Sequence, residues 1–230
     1  DIKKENYDFF YYRYNGLQMQ QGETYQQTLE RPNLPTGLQA VYLCIDPGFV
    51  DPSIMNVMGL DSTGVWRNYI RYRLQRIEFP DQEKIINWLD DFYAFSKIGI
   101  DVGPGGNGAS ILQGLMSREE YKAKAYKNRL LGFNNSESIT IGMNERGEEV
   151  KKDTKGVGTE ELVKWIQAGR VRFSSIDVEG TSELEKLGKQ RSMNGIDRYF
   201  ILSDTGKGKA ASDHHYASMV VFGMLIRQPL

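Results

Sequence analysis

The stretch Val41-Tyr-Leu-Cys-Ile-Asp46-Pro-Gly-Phe-Val-Asp51-Pro-Ser53 decides the fold. Val41 to Ile45 is a short apolar, β-rich run closed by Pro47-Gly48, which predicts a buried strand delivering Asp46 at its C-terminal end. A carboxylate in that position is costly unless a cation or hydrogen bonds compensate it. Two readings stay open at this point: Asp46 opens an Asp-Pro-Gly turn, or it belongs to a site.

Downstream, Ile54 to Leu60 is a second run, and Asp61-Ser-Thr-Gly64 is a hairpin-like turn. Trp66 to Ile77 follows with period-two alternation, Tyr69, Arg71, Arg73 and Gln75 opposing Ile70, Tyr72 and Leu74. Short links predict an antiparallel meander of three strands. After Phe79-Pro-Asp81, residues Gln82 to Phe95 carry apolar positions at Ile85, Ile86, Leu89, Phe92 and Tyr93, an amphipathic helix with Asp81 as its N-cap. Lys97 to Ile100 is a fourth strand that again ends in a carboxylate, Asp101. A strand reached through a crossover helix pairs in parallel, so Asp46 and Asp101 are expected side by side. Two such charges stay ionised together only with a cation between them, and magnesium or manganese suits hard oxygen ligands.

Gly103, Gly105 and Gly108 match the spacing of a dinucleotide fingerprint between a strand and a helix starting at Ala109. Asp101 would face the pyrophosphate with negative charge, and only Glu119 and Glu120, in a charged helical-looking run, lie about twenty positions on, where the motif needs an acidic strand end. The glycines are read instead as permitting close approach of backbone or DNA.

Ser117 to Asn128 reads as a basic helical stretch and Arg129 to Phe133 as a strand. Ser138 to Ile141 and Glu149 to Lys152 flank Asn144-Glu-Arg-Gly147, a projecting β-hairpin bearing Lys151 and Lys152 with Lys155 beyond; it is either a phosphate-backbone contact or a solvated ribbon. Glu160 to Ala168 predicts a helix and Arg170 to Ser174 a strand. Ser182-Glu-Leu-Glu185 is a capping box for a helix through Gln190, and Tyr199 to Leu202 is a strand. A loop with Lys207 and Lys209 leads to a last helix, capped by Ser212 and running through Ile226. Positions 213, 217, 220, 221 and 224 form its core-facing stripe, so Asp213 is a third carboxylate directed inward, or a simple partner of the helix dipole. His214 and His215 project about 100° apart and cannot be side-by-side ligands of one ion.

Composition narrows the class. With 230 residues, 40% of them hydrophobic, the chain can bury one sizeable core. The single Cys44 excludes a disulfide framework and a cysteine zinc site, and suits a reducing, intracellular setting. No apolar run reaches the ~18 residues of a membrane span. With 29 basic and 30 acidic residues the net charge by itself points to no polyanionic partner. Residues 1–38 are rich in Tyr and Gln and end in a Pro/Gly linker; a short helix through Phe9, Phe10 and Tyr14 is expected to dock by its aromatic side, or to serve with Arg13 as a nucleic-acid platform. Starting at Asp1 in a polar region, the chain reads as a domain of a longer protein, with 1–38 as an interdomain connection and 39–230 as the domain.

Taken together, the meander ending in Asp46, the crossover to Asp101 and the helix opening at Asp213 resemble the RNase H-like (retroviral integrase) superfamily. Ile45-Asp-Pro-Gly-Phe-Val-Asp-Pro-Ser53 is similar to the Asp-x-Gly-x-x-Asp-Pro-[Ser/Thr] motif of the nuclease domain of tailed-bacteriophage large terminases; Gly99-Ile-Asp101 and Ala211-Ser-Asp-His-His-Tyr-Ala-Ser218 are similar to its second and third motifs. The resemblance implies an α/β fold, a mixed central sheet flanked by helices, and Asp46, Asp101 and Asp213 as a triad holding two Mg2+ or Mn2+ ions, Asp46 bridging them. His214 and Asp51 are auxiliary candidates; His214 departs from the family pattern by following the third carboxylate directly. The implied activity is cutting of concatemeric double-stranded DNA during genome packaging in the host cytoplasm, with an ATPase motor domain, a portal and a small terminase subunit as partners. The alternatives are a junction resolvase or transposase-type nuclease and a non-catalytic DNA- or portal-binding module of the same fold. Lys151, Lys152, Lys155, Lys207 and Lys209 are the expected DNA contacts, each phosphate neutralised adding roughly one unit to the salt slope of binding.

Overall fold

The computed structural model describes residues 2–16, 28–103, 108–191, 197–203 and 213–228. Its strands are β1 (Lys4–Glu5), β2 (Phe10–Asn15), β3 (Ala40–Asp46), β4 (Ser53–Leu60), β5 (Trp66–Gln75), β6 (Lys97–Asp101), β7 (Leu130–Phe133), β8 (Ser138–Met143), β9 (Glu149–Asp153), β10 (Val171–Ser174), β11 (Leu187–Arg191) and β12 (Asp197–Ile201). Its α-helices are α1 (Phe79–Tyr93), α2 (Gly108–Ser117), α3 (Thr154–Gln167), α4 (Val178–Glu185) and α5 (His214–Ile226).

The meander forms as the alternation predicts: β3 and β5 flank β4 in antiparallel fashion. After α1 crosses over, β6 joins β3 in parallel, with Ile45 opposite Ile100. Asp46 and Asp101 therefore leave adjacent strands at the same level. The eight-stranded sheet runs β1-β10-β5-β4-β3-β6-β7, and β2 pairs with β5 beyond β10. The central strand β4 is buried throughout, because helices cover both faces. Helices α1 and α2 bring Ile85, Ile86, Leu89, Ile111 and Leu115 to one face. Leu162, Ile166, Leu184, Met219 and Val220 of α3, α4 and α5 fill the other.

Helix α5 is buried on all sides from His215 to Leu225, not along a single stripe, because α3 packs over it against the sheet. The crossing is closed by glycine: a Cβ on Gly223 would collide with the carbonyl of Gly158, and one on Gly158 with that of Val220. Backbones this close exclude any side chain. Gly108 does the same where α2 meets the Asp101 carbonyl.

Several expectations are corrected. Phe10 to Asn15 is a strand, not part of a helix; Phe10, Tyr12 and Tyr14 stack at period two, and Tyr12 lies on Tyr72 at 5.6 Å. Helix α1 starts at Phe79 after Glu78, so Asp81 lies in its first turn and pairs with Lys84 instead of capping it. The basic stretch after α2 forms short 3-10 turns, with Arg118 and Lys124 paired to acidic residues of α1. The capping box at Ser182 is internal to α4; Asp177 is the cap, accepting from the Gly180 amide, and Leu187 to Arg191 is a strand of a second ribbon with β12. The β8–β9 hairpin forms as expected, apart from the main sheet.

Arg71 is the largest departure. Alternation assigns it to a polar face, yet that face lies under α4 and α5, and Arg71 is only 1% exposed. Asp177 receives both guanidinium ends, at 3.0 and 2.6 Å, and Asn56 Oδ1 receives Nε at 3.3 Å. Removing one member of a buried pair leaves the other uncompensated. Arg71→Met is expected to cost about 3–5 kcal/mol in urea unfolding, and adding Asp177→Leu to recover most of this apart from about 1 kcal/mol for the lost α4 cap.

Candidate active site

A cleft of about 610 Å³ opens at the C-terminal ends of β3 and β6 and is lined by Asp46, Asp51, Glu78, Asp101, Lys155, Asp213 and His214, among others. Each carboxylate of the expected triad is delivered by a different device. Asp46 ends β3, its side chain 13% exposed, and His214 Nδ1 lies 3.0 Å from its Oδ2. Asp101 ends β6; its Oδ1 accepts from the Gly103 amide at 2.9 Å and its Oδ2 from Asn135 Nδ2 at 2.6 Å. Asp213 precedes α5 and takes Lys155 Nζ at 3.2 Å.

Electrostatics bind the three together. Burial pushes Asp46 up to about 6; Asp101 and Asp213 add to the rise, while the hydrogen bond and charge of His214 pull it back. Asp46 in turn raises His214 above the usual histidine range. A partly buried cluster of like charges thus draws a histidine and a lysine as counter-charges.

Lys155, expected beyond the hairpin, sits in the first turn of α3 and enters this cleft. That helix begins at Thr154, capped by Asp153, which accepts from the Gly156 amide. The glycines at 156 and 158 hide this start from a propensity reading; Asp153 is the signal for it. Lys151 pairs with Glu149 at 3.2 Å, and Lys152 is drawn back onto Glu160. Lys207, Lys209, Ser212 and Gly105 lie outside the described residues.

His215 has no place in the cleft. It is 4% exposed, with Nδ1 3.2 Å from Asn56 Nδ2 and Nε2 3.1 Å from Arg71 Nη2. A guanidinium can only donate, so Nε2 is an acceptor and the ring is neutral. Burial, then the Arg71 charge, hold it well below the usual range. Residues that sequence reasoning missed here are Asn135, Arg71, Asp177 and Glu183, the last accepting from the Tyr216 amide at 2.8 Å.

The described residues fit a divalent cation in donor chemistry: hard carboxylate oxygens, one of them held at an elevated pKa by burial and crowding, and a buried Asn135 Oδ1 with no hydrogen-bond partner. Among the described residues, no three acidic, histidine or cysteine side chains converge on a single metal position. The carboxylates share a cleft rather than a point.

No family model and no curated protein matches the sequence. Solved structures do. The nuclease domain of the large terminase subunit gp2 of bacterial virus Sf6 superposes with a TM-score of 0.57 at 11% identity, covering 85% of this chain and 91% of that one. This chain has the fold of a large terminase nuclease domain. The large terminase nuclease from thermophilic phage G20c with bound magnesium gives 0.52 at 17% identity, covering 82% of this chain and 83% of that one. A large terminase from another thermophilic bacteriophage gives 0.55 at 14% identity over 86% of this chain, which spans 43% of that protein. The RNase H-like arrangement expected from the motifs is thus the observed one. Among the described residues, no helix is long and apolar enough to cross a membrane.

Neutral His215 gives stability a pH dependence. The unfolded chain binds a proton there near the ordinary value of 6.5 and the folded chain refuses it, so this contribution is complete above that pH and is lost as pH falls below it. Asp46 acts in the opposite sense below about 6 and is common to parent and variant. In urea titrations from pH 7.5 to 5, parent stability minus that of His215→Gln should shrink on acidification by up to about 1.4 kcal/mol per pH unit.

Proposed function

We propose that this chain is a divalent-metal-dependent endonuclease that cuts double-stranded viral DNA during genome packaging, working beside an ATPase motor domain in a longer terminase. The observation that carries this reading is the delivery of Asp46, Asp101 and Asp213 to one cleft from two adjacent parallel strand ends and a buried helix start. The terminase nuclease fold supports it, as does the magnesium bound by the G20c nuclease. Residues 1–38 then form the connection to the motor, with β1 and β2 laid into the sheet.

Asp46, Asp101 and Asp213 would hold Mg2+ or Mn2+, two ions when DNA is bound. Such a cation supplies Lewis-acid stabilisation of the charge that develops on a phosphodiester during in-line displacement. His214 fixes the Asp46 carboxylate, and the Gly103 amide with Asn135 fixes that of Asp101. Lys155 balances Asp213 and places a positive charge on the cleft wall where a phosphate oxygen would lie. The host cytoplasm, a portal and a small terminase subunit belong to the same reading.

For the DNA path, a second cavity of about 550 Å³ shares Asn135 and Lys155 with the cleft and continues along Gln190, Arg198, Tyr199 and Phe200 of the β11–β12 ribbon. In that ribbon Gln190 opposes Arg198 and Gly188 opposes Phe200, so one face carries a cation, an amide and an aromatic ring side by side. A duplex backbone meets that combination with its phosphates against the cation and the amide and its sugars against the ring. Lys151 and Lys152 of the other hairpin, each paired internally, contribute less charge to a duplex; Lys207 and Lys209 remain part of the proposed contact.

A second reading, a non-catalytic DNA-binding module of the same fold, is favoured by Lys155 holding Asp213 and by the absence of three converging ligands among the described residues. Plasmid nicking decides between them. Manganese- or magnesium-dependent nicking should be present in the parent and fall at least ~100-fold in Asp46→Ala, Asp101→Ala and Asp213→Ala; a parent that binds DNA without cutting it establishes the module. Arg198→Ala should lower affinity uniformly across sequences and reduce the salt slope by about one unit, and an unchanged slope removes the ribbon from the path.

A further inference from the structure

Asp213 stands at the N-cap of α5, where aspartate ordinarily turns its own carboxylate onto the amides of the first turn. Here it does not. Its φ of −137° and ψ of 31° depart from the extended cap geometry, it makes no side-chain cap hydrogen bond, and its Oδ2 instead meets Lys155 in the cleft. The first intrahelical bond, Ala217 amide to Asp213 carbonyl, leaves the Tyr216 amide without a partner inside the helix. Glu183 of α4 supplies one: its Oε1 accepts from the Tyr216 amide at 2.8 Å. The two carboxylates have exchanged places. The residue at the cap position faces the cleft, and a residue from a neighbouring helix does the capping.

We propose that Glu183 is a positioning residue that caps α5 in trans and so frees the Asp213 carboxylate for the cleft. Without the outside acceptor, the nearest partner for the Tyr216 amide is the Asp213 side chain, three residues back, at the spacing of an ordinary cap. Asp213 would then turn away from Lys155 and from any cation. Glu183 can do this because α4 is itself immobilised: Asp177, its N-cap, is locked to Arg71, and Gly180 lies so close to that guanidinium that a Cβ would collide with it. Glu183 is held among Tyr216, Arg71, Asp213 and His214, the groups that set its electrostatic surroundings. None of this requires Glu183 to touch substrate or metal.

The test joins crystallography to Mn2+ binding measured by calorimetry, using Glu183→Ala, which removes the acceptor, and Glu183→Gln, which keeps an acceptor oxygen without the charge. In the Glu183→Ala crystal structure the Asp213 carboxylate should accept from the Tyr216 or His215 amide and have left Lys155; an Asp213 still paired with Lys155 overturns the proposal. Mn2+ affinity should fall about 10–100-fold in Glu183→Ala, the usual loss when an outer partner of a metal ligand is removed, and stay near the parent value in Glu183→Gln. Parent-like affinity in Glu183→Ala, or an equal loss in both variants, also overturns it, since a residue bracing the fold or acting by charge alone behaves that way. Should Glu183→Ala fail to fold, Glu183→Asp withdraws the acceptor by one methylene and is read in the same two ways. The affinity arm rests on the metal-dependent reading of the cleft; if the parent binds no Mn2+, that reading falls and the position of Asp213 in the crystal decides this one.

Discussion

A guanidinium cannot shed its proton, so once Arg71 is buried everything around it must answer to a fixed positive charge. The answers come from three elements. Asp177 neutralises it from the start of α4, Asn56 accepts its Nε from β4, and His215 meets it from α5 with a bare ring nitrogen. Gly180 gives it room. Each group is also tied to something else: Asp177 caps its helix, Asn56 donates to Ser218 at 3.0 Å, and Ser218 donates to the Cys44 carbonyl of β3. The polar network thereby fixes how α4 and α5 dock on the sheet, and hence where Asp213 and His214 stand relative to the end of β3.

The cleft inherits that rigidity. Asp46 and Asp101 are placed by the sheet, through a parallel register in which Ile45 faces Ile100. Asp213 and Lys155 are placed by α5 and α3, which cross at glycine-to-glycine contact. Strand ends and helix starts are set by different forces, ladder hydrogen bonds on one side and close packing on the other. A site assembled from both needs a joint between them. The hydrogen bond between His214 and Asp46 is such a joint, and so is the Arg71 cluster behind it.

Much of this is legible in the chain. Alternation and short turns predict the meander, and the two apolar runs ending in Asp46 and Asp101 predict two of the carboxylates that line the cleft. What escapes is instructive. Alternation places Arg71 on the polar face and says nothing of its burial, because period two reports which face a residue is on, not whether a helix arriving much later in the chain will cover that face. Helix α3 begins at Thr154 rather than Glu160 because Gly156 and Gly158, which read as breakers, are tolerated there, and Gly158 is what lets α5 come close. Phe9, Phe10 and Tyr14 fit a 3.6 repeat loosely and so suggest a helix, while the set that actually stacks, Phe10, Tyr12 and Tyr14, fits two. Glu183 is invisible in the sequence, since nothing local links it to an amide 33 residues on.

The outer edge of β5 also dictates an order of events. Lys4 pairs with Phe173 and Tyr12 with Tyr72, so the first strands are completed by partners that emerge from the ribosome long after them. During synthesis β2 has no edge to join until the meander exists, and β1 none until β10 has been made. Contacts of such sequence separation close late, because the entropy of the intervening loop is lost before the contact rewards it. Phe10, Tyr12 and Tyr14 are therefore made before the strand they lie against and are among the last to settle, their ring face waiting on Tyr72 of β5.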